Sequence, residues 1–107
     1  MSEQRLKGNL DVLLLAVLQH RAGHGYAIIR RLADRSGGRF DLPEGTVYPA
    51  LHRLEHEGLI RSAWDEAGPR RRRIYTISGK GARALAESRR EWNDFATGMR
   101  AVLGGSR

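Results

Sequence analysis

Apolar positions near the N-terminus follow the spacing of one helical face. They are Leu10, Leu13, Leu14, Val17 and Leu18, and they predict an amphipathic helix. Asn9 is expected to cap its first turn. Val12 and Leu15 widen the apolar stripe, so we expect this helix to be buried on more than one side.

Two further helices follow, each with apolar residues on one face. The second is predicted over residues 25–36 and the third over residues 43–57. The pair Gly37-Gly38 is expected to end the second helix in a left-handed turn. Pro49 lies inside the third helix, where its missing N–H predicts a bent or loosened first turn.

From residue 60 onward, apolar and polar side chains alternate along two segments. Residues 66–70, between these segments, are rich in turn-forming types. The alternation predicts a β-hairpin over residues 59–77. Ser78 is expected to cap a last helix over residues 79–103.

The order of the elements predicts a mainly α fold with a small β-hairpin. Three helices, a hairpin and a long C-terminal helix are typical of a winged helix-turn-helix, in which one helix enters the DNA major groove. Residues 43–57 are the expected recognition helix, and the hairpin is the expected wing on the flanking backbone. We expect a DNA-binding domain over residues 1–78, then a dimerisation helix and frayed tail over residues 79–107.

The distribution of charge along the chain singles out the predicted wing. The chain has 107 residues and a formal net charge of +7. Nearly all of the excess lies in residues 67–86, which contain no acidic residue. Their basic residues are Arg70, Arg71, Arg72, Arg73, Lys80 and Arg83. A basic patch confined to one segment is typical of a protein that binds a polyanion.

Other sequence features exclude several classes of protein. The chain has no cysteine, which excludes a disulfide framework. No apolar run approaches the about 18 residues of a membrane span. The segment Met1–Arg5 lacks the layout of a signal peptide. We therefore expect a cytoplasmic protein that does not bind membranes.

Five segments carry motifs that fit the predicted elements. They are residues 6–11, 25–28, 44–55, 57–60 and 72–81. Together they resemble the short form of the PadR family of bacterial transcriptional regulators, over residues 6–103. The Gly-Thr-Val-Tyr-Pro-Ala-Leu-His-Arg-Leu-Glu stretch is the most specific of them. The resemblance implies a homodimeric DNA-binding repressor with dimer contacts mainly through the last helix, lacking the larger C-terminal helical domain of longer members.

The expected function is that of a sequence-specific repressor that binds an inverted-repeat operator as a homodimer. One alternative is a primary role as a sensor of a planar aromatic molecule at the dimer interface, since some PadR relatives bind such compounds between paired tryptophans. Another is a winged-helix protein that binds double-stranded RNA. A binding competition between duplex DNA and duplex RNA distinguishes a DNA-binding function from an RNA-binding one.

The residues predicted to contact DNA come from all parts of the winged helix. Thr46 and His52 can bond base edges or phosphates, and the hydroxyl of Tyr48 suits a phosphate oxygen. Tyr48 is alternatively half-buried core, Tyr26 is alternatively core packing, and Arg53 is alternatively paired with a carboxylate one turn on. The full set is Lys7, Tyr26, Thr46, Tyr48, Pro49, His52, Arg53, Arg70, Arg71, Arg72 and Arg73.

The last helix carries an apolar seam at heptad spacing. Trp92 and Met99 stand seven apart, as do Phe95 and Val102, and Ser88 is the weak point of the seam. We expect it to pack against a second chain and partly against the first helix. Trp92 and Phe95 are also candidates for binding a small aromatic effector. The predicted dimer residues are Leu10, Leu14, Leu85, Trp92, Phe95, Met99 and Val102.

Enzymatic chemistry and metal binding are not expected. No nucleophile motif, Gly-rich phosphate loop or paired-carboxylate pattern is found, so neither an enzyme activity nor a cofactor is predicted. The pairs His20/His24 and His52/His56 have a spacing that can begin a zinc site. Two ligands are too few to hold zinc, and no metal site is predicted.

Overall fold

Four helices and three short strands make up the described part of the chain. The computed structural model describes residues 2–104, with side chains described from residue 8 onward. The elements are α1 (Ser2–His20), β1 (Gly23–His24), α2 (Gly25–Arg35), α3 (Glu44–His56), β2 (Ile60–Asp65), β3 (Arg72–Ile77) and α4 (Gly79–Leu103). This architecture confirms the predicted mainly α fold with its hairpin and long last helix. The tail predicted to fray is residues 104–107, of which residues 105–107 lie outside the described residues; Gly104 is ordered as the left-handed cap of α4, and its N–H donates to the Arg100 carbonyl.

Two local predictions are wrong. Helix α1 begins at Ser2 rather than after Asn9, because residues 2–7 are mostly good helix formers and extend it by two turns. The sheet has three strands in the order β1-β3-β2 rather than two. In the added strand, Gly23 pairs with Tyr75 and His24 pairs with Ile74. A two-residue strand is too short for alternation to reveal it.

Helix α1 lies at the centre of the core and packs against α2, α3, α4 and β3. This confirms its burial on more than one side. Leu14 of α1 is fully buried, as are Leu51 and Leu54 of α3 and Tyr75 of β3. Helix α3, the expected recognition helix, therefore packs on the core through its apolar face, which leaves its opposite face toward solvent.

The glycines after α2 confirm the predicted left-handed stop. Gly37 and Gly38 have φ angles of 65° and 83°, a region that glycine enters without steric cost. Helix α3 continues through Pro49 from Glu44 to His56, and Pro49 is exposed.

The start of α4 is tied to the end of α3. The Ser78 hydroxyl accepts a hydrogen bond from the Gly81 N–H at 3.0 Å and donates one to the Gly58 carbonyl at 2.7 Å, which confirms the predicted cap. The Lys80 ammonium donates to the Glu57 carbonyl at 2.9 Å, a favourable position for a cation at a helix C-terminus. A Cβ at Gly81 would overlap the Leu59 carbonyl oxygen, so only glycine fits there without movement.

Candidate nucleic-acid interface

Helix α3 presents three of the predicted DNA contacts beyond its buried stripe. Pro49 and His52 are exposed, and Thr46 is partly exposed. Val47, Ala50, Leu51 and Leu54 form the buried face of the same helix. The 3.6-residue period of the helix separates these two sets, so the exposed set is available to a ligand outside the chain.

Tyr48 lies at the edge of that surface and packs against the start of α2. A Cβ at Gly25 would overlap its ring and hydroxyl, so glycine at this position allows the two helices to approach closely. Burial raises the pKa of Tyr48, with a smaller contribution from Glu44. The phenol therefore stays protonated at neutral pH and can donate a hydrogen bond.

Tyr26 stands on the first turn of α2 and is 56% exposed. Its hydroxyl accepts a hydrogen bond from Arg30 at 3.2 Å, and the Arg30 guanidinium lies 5.9 Å from its ring centroid. The hydrogen bond raises the pKa of Arg30. The exposed fraction of Tyr26 does not fit the alternative interpretation, in which its ring packs in the core.

The wing carries the four consecutive arginines. Arg70 and Arg71 lie in the turn between β2 and β3, while Arg72 and Arg73 begin β3. The guanidinium carbons of Arg71 and Arg73 lie over the ring of Trp64, at 4.3 and 4.7 Å from its centroid. Trp64 is half-exposed on β2, directly across from Arg73.

Hydrogen bonds connect the wing to α3. The Arg73 Nε donates to the Ser62 hydroxyl at 2.8 Å, and that hydroxyl donates to the Glu55 carboxylate at 2.6 Å. Both of these hydrogen bonds are part-buried. The side chain of Arg73 therefore has a defined position relative to α3.

A second connection joins the wing to the start of α2. The His24 Nε2 lies 2.9 Å from the Asp65 carboxylate, and the same carboxylate accepts the Ala67 N–H at 3.1 Å. The bond from Ala67, with the bond from His24, lowers the pKa of Asp65. The carboxylate thus stays ionised where it begins the wing turn.

These residues enclose an open groove of about 240 Å³ between α2, α3 and the wing. Its wall combines aromatic rings with guanidinium groups, a lining suited to a polyanion whose sugars and bases offer apolar surface. The lining residues are His24, Gly25, Tyr26, Tyr48, Trp64, Arg71, Arg72, Arg73 and Tyr75.

Sequence reasoning did not predict Glu55, Ser62, Trp64, His24 or Asp65 at this site. The hairpin register offered one signal, since strands over 60–65 and 72–77 place Trp64 opposite Arg73, and cross-strand pairs interact. The connections to α2 and α3 have no such signal because they join separate elements.

Two predicted contacts have different surroundings from the rest. The Arg53 guanidinium binds both carboxylate oxygens of Asp11 at 2.8 and 2.9 Å, and these bonds raise the pKa of Arg53. The ion pair joins α3 to α1. The carboxylate that Arg53 binds is therefore that of Asp11, and not that of Glu57, four residues further along the sequence. The side chain of Lys7 lies outside the described residues.

The apolar face of α4 leaves the core after Leu85. Trp92, Phe95, Met99 and Val102 are all exposed, Val102 by 86%, and the Trp92 and Phe95 rings lie 5.6 Å apart. The other predicted dimer residues, Leu10, Leu14 and Leu85, are buried in the core of the chain. These three side chains have almost no exposed surface that a partner could contact. They pack instead between the helices of their own chain.

Open grooves flank Trp92. One of about 220 Å³ is lined by Asn9, Leu13, Phe40 and Trp92. Another of about 360 Å³ lies between α1 and α4 and includes Ser88, Trp92 and Phe95. Both predicted effector-binding residues therefore stand on groove walls.

Neither a cluster of metal ligands nor a membrane-spanning helix is found in the described part of the chain. His24 is paired with Asp65, and no group of three or more potential metal ligands occurs among the described residues. None of the helices within residues 2–104 is long and apolar enough to cross a membrane.

Comparisons with known proteins agree with this architecture. The model of the PadR-like family of transcriptional regulators matches residues 14–87. The transcriptional regulator Rv3488 of Mycobacterium tuberculosis is 40% identical over 94 residues, which cover 85% of this chain and 82% of the relative.

Solved structures give the same result. A transcriptional regulator from Clostridium thermocellum has a TM-score of 0.82 at 26% identity, covering 94% of this chain and 96% of that one. A PadR-like transcriptional regulator from Bacillus cereus has a TM-score of 0.81 at 30% identity, covering 96% and 99%. The chain belongs to the PadR-like family of transcriptional regulators.

Proposed function

We propose that this PadR-family regulator binds duplex DNA through α3, the start of α2 and the wing. The observation that carries the proposal is the groove in which aromatic and arginine side chains from these three elements converge. Aromatic and cationic groups together suit the sugar-phosphate backbone, whose contacts supply much of the affinity of DNA-binding proteins.

In this proposal, α3, the start of α2 and the wing contact different parts of the DNA. Thr46, Pro49 and His52 on α3 face the major groove, where base edges differ between all four base pairs. The wing arginines bind phosphates, and Tyr26 and Tyr48 add hydroxyl contacts to the backbone. Arg53 acts indirectly, because its ion pair with Asp11 holds α3 on α1.

We further propose that the protein is a homodimer joined through α4. Helix α4 has 25 residues, of which only Gly81 and Leu85 are buried. The exposed side chains of Trp92, Phe95, Met99 and Val102 form a face that a second copy would cover. A two-fold dimer presents two recognition helices, which favours an inverted repeat with half-sites about 34–36 Å apart.

Repression follows in this proposal from occupancy of such an operator. Selection of bound fragments from a random-sequence duplex DNA pool, combined with sedimentation of the free protein, tests the proposal. We expect enrichment of an inverted repeat and a dimer at micromolar concentration. A pool without enrichment, or equal binding to duplex RNA in competition, would contradict it.

A second candidate function is response to a planar aromatic effector beside Trp92. The observation that favours it is the position of this half-exposed ring between two grooves. An effector would lower DNA affinity only by binding more tightly to a dimer spacing that does not fit DNA. Titration of tryptophan fluorescence with planar dyes tests this, with Trp64→Phe to isolate the Trp92 signal. Emission that does not respond to any dye would count against it.

A further inference from the structure

The side chain of Arg73 has contacts on two sides. Its Nε donates to the Ser62 hydroxyl at 2.8 Å, and its guanidinium lies over the Trp64 ring at 4.7 Å. Arg72 of the same strand is exposed, whereas Arg73 is only partly exposed. Contacts on two sides leave Arg73 few alternative rotamers.

These contacts lead back to the recognition helix. Ser62 donates to the carboxylate of Glu55 on α3 at 2.6 Å. Trp64 also supports Arg71, whose guanidinium carbon lies 4.3 Å from the ring centroid. A continuous series of contacts therefore runs from α3 through β2 to two wing arginines.

We propose that Glu55, Ser62 and Trp64 are positioning residues for DNA binding. They form a relay that holds Arg73 and Arg71 at a set position relative to α3, so that the helix and the wing meet DNA as one rigid surface. This inference rests on the proposed DNA-binding function. It assigns the relay no contact with DNA.

The relay predicts a thermodynamic signature that differs from that of a phosphate contact. Loss of a phosphate contact reduces the salt dependence of binding, with a slope change of about 0.9 per contact. Loss of positioning leaves the number of contacts unchanged, but the side chain must then lose rotamer freedom on binding. Affinity falls while the salt slope stays the same.

The test uses the full chain and one duplex selected by the wild-type protein from a random-sequence pool. Ser62→Ala should weaken binding about two- to tenfold, the fold-change of one net hydrogen bond, without a change of salt slope. Ser62→Thr keeps the hydroxyl on a strand and should restore binding. Arg73→Ala should lower both affinity and slope.

A double-mutant cycle separates positioning from a general structural effect. If Ser62 acts through Arg73, then Ser62→Ala should have no effect on DNA affinity in the Arg73→Ala background. An equal loss in both backgrounds would overturn the relay, and so would full affinity in the Ser62→Ala protein.

Glu55→Ala tests the relay from its other end, in case Ser62→Ala fails to fold. Removal of a negative charge near α3 strengthens DNA binding by itself, so Glu57→Ala, at the residue that follows the same helix, is the matched control. Glu55→Ala should bind DNA about two- to tenfold more weakly than this control. Equal affinities would refute the relay while leaving the proposed function intact. A wild-type protein that does not bind duplex DNA would overturn both.

Discussion

Replacement of Gly81 by alanine tests how the recognition helix is joined to α4. Gly81 is buried in the first turn of α4. An added Cβ would overlap the carbonyl oxygen of Leu59 and would lie 2.9 Å from Cγ1 of Ile77. The Leu59 carbonyl also accepts the Ser78 N–H at 3.1 Å, so it cannot move without weakening that bond.

The size of the effect follows from three contributions. Overpacking in a fixed environment costs about 1–3 kcal/mol, and a weakened backbone hydrogen bond costs about 0.5–1.5 kcal/mol. The higher helix propensity of alanine offsets up to about 1 kcal/mol. We expect Gly81→Ala to lower the free energy of unfolding by about 1–3 kcal/mol, or the Tm by roughly 5–15 °C.

Gly98→Ala is the matched control because Gly98 lies in the same helix with no atom within 4 Å of an added Cβ. It should raise the Tm slightly through helix propensity. Thermal unfolding by circular dichroism at one protein concentration compares the two variants with wild type. If the Gly81→Ala protein is as stable as the Gly98→Ala protein, then Gly81 does not lie against the Leu59 carbonyl as described.

Three further predictions concern individual side chains. Arg53→Ala should lower the free energy of unfolding by about 1–3 kcal/mol and should cost far less in the Asp11→Ala background; additive losses in a urea double-mutant cycle would refute the pair. Asp65 has a lowered pKa, so its stabilisation should be present above the unfolded-state pKa of about 3.9 and fade as pH falls through the folded-state value. A difference in urea midpoint between wild type and Asp65→Asn that does not shrink in acid would contradict this. His52→Ala should weaken DNA binding with an unchanged Tm, whereas a large fall in Tm would assign His52 to the core.

Local patterns predicted much of this fold. The bounds of α4 and the Ser78 cap followed from one capping residue and helical spacing, both of which act within a few residues. The recognition helix and the hairpin followed in the same way. Such features depend on short stretches of chain, so their signals are present in the sequence itself.

Features that depend on distant contacts could not be predicted. The partner of Arg53 is 42 residues away in the chain, and periodicity provides no information about such pairs. The same holds for β1, which is a strand only because β3 lies beside it. The predicted DNA-binding arginines were chosen by charge, but the side chains that position them are neutral or acidic and come from other elements.

The central claim is that the wing arginines bind DNA phosphates beside the recognition helix. Its most direct test is the slope of log affinity against log salt for duplex DNA, measured for wild type and for Arg70→Ala/Arg72→Ala, with Arg90→Ala/Arg100→Ala on α4 as the charge-matched control. Both wing residues are exposed. We predict that the slope of the wing variant is smaller by about 0.9 for each lost contact, while the control keeps the wild-type slope. Identical slopes for all three proteins would remove the wing from the interface and contradict the account.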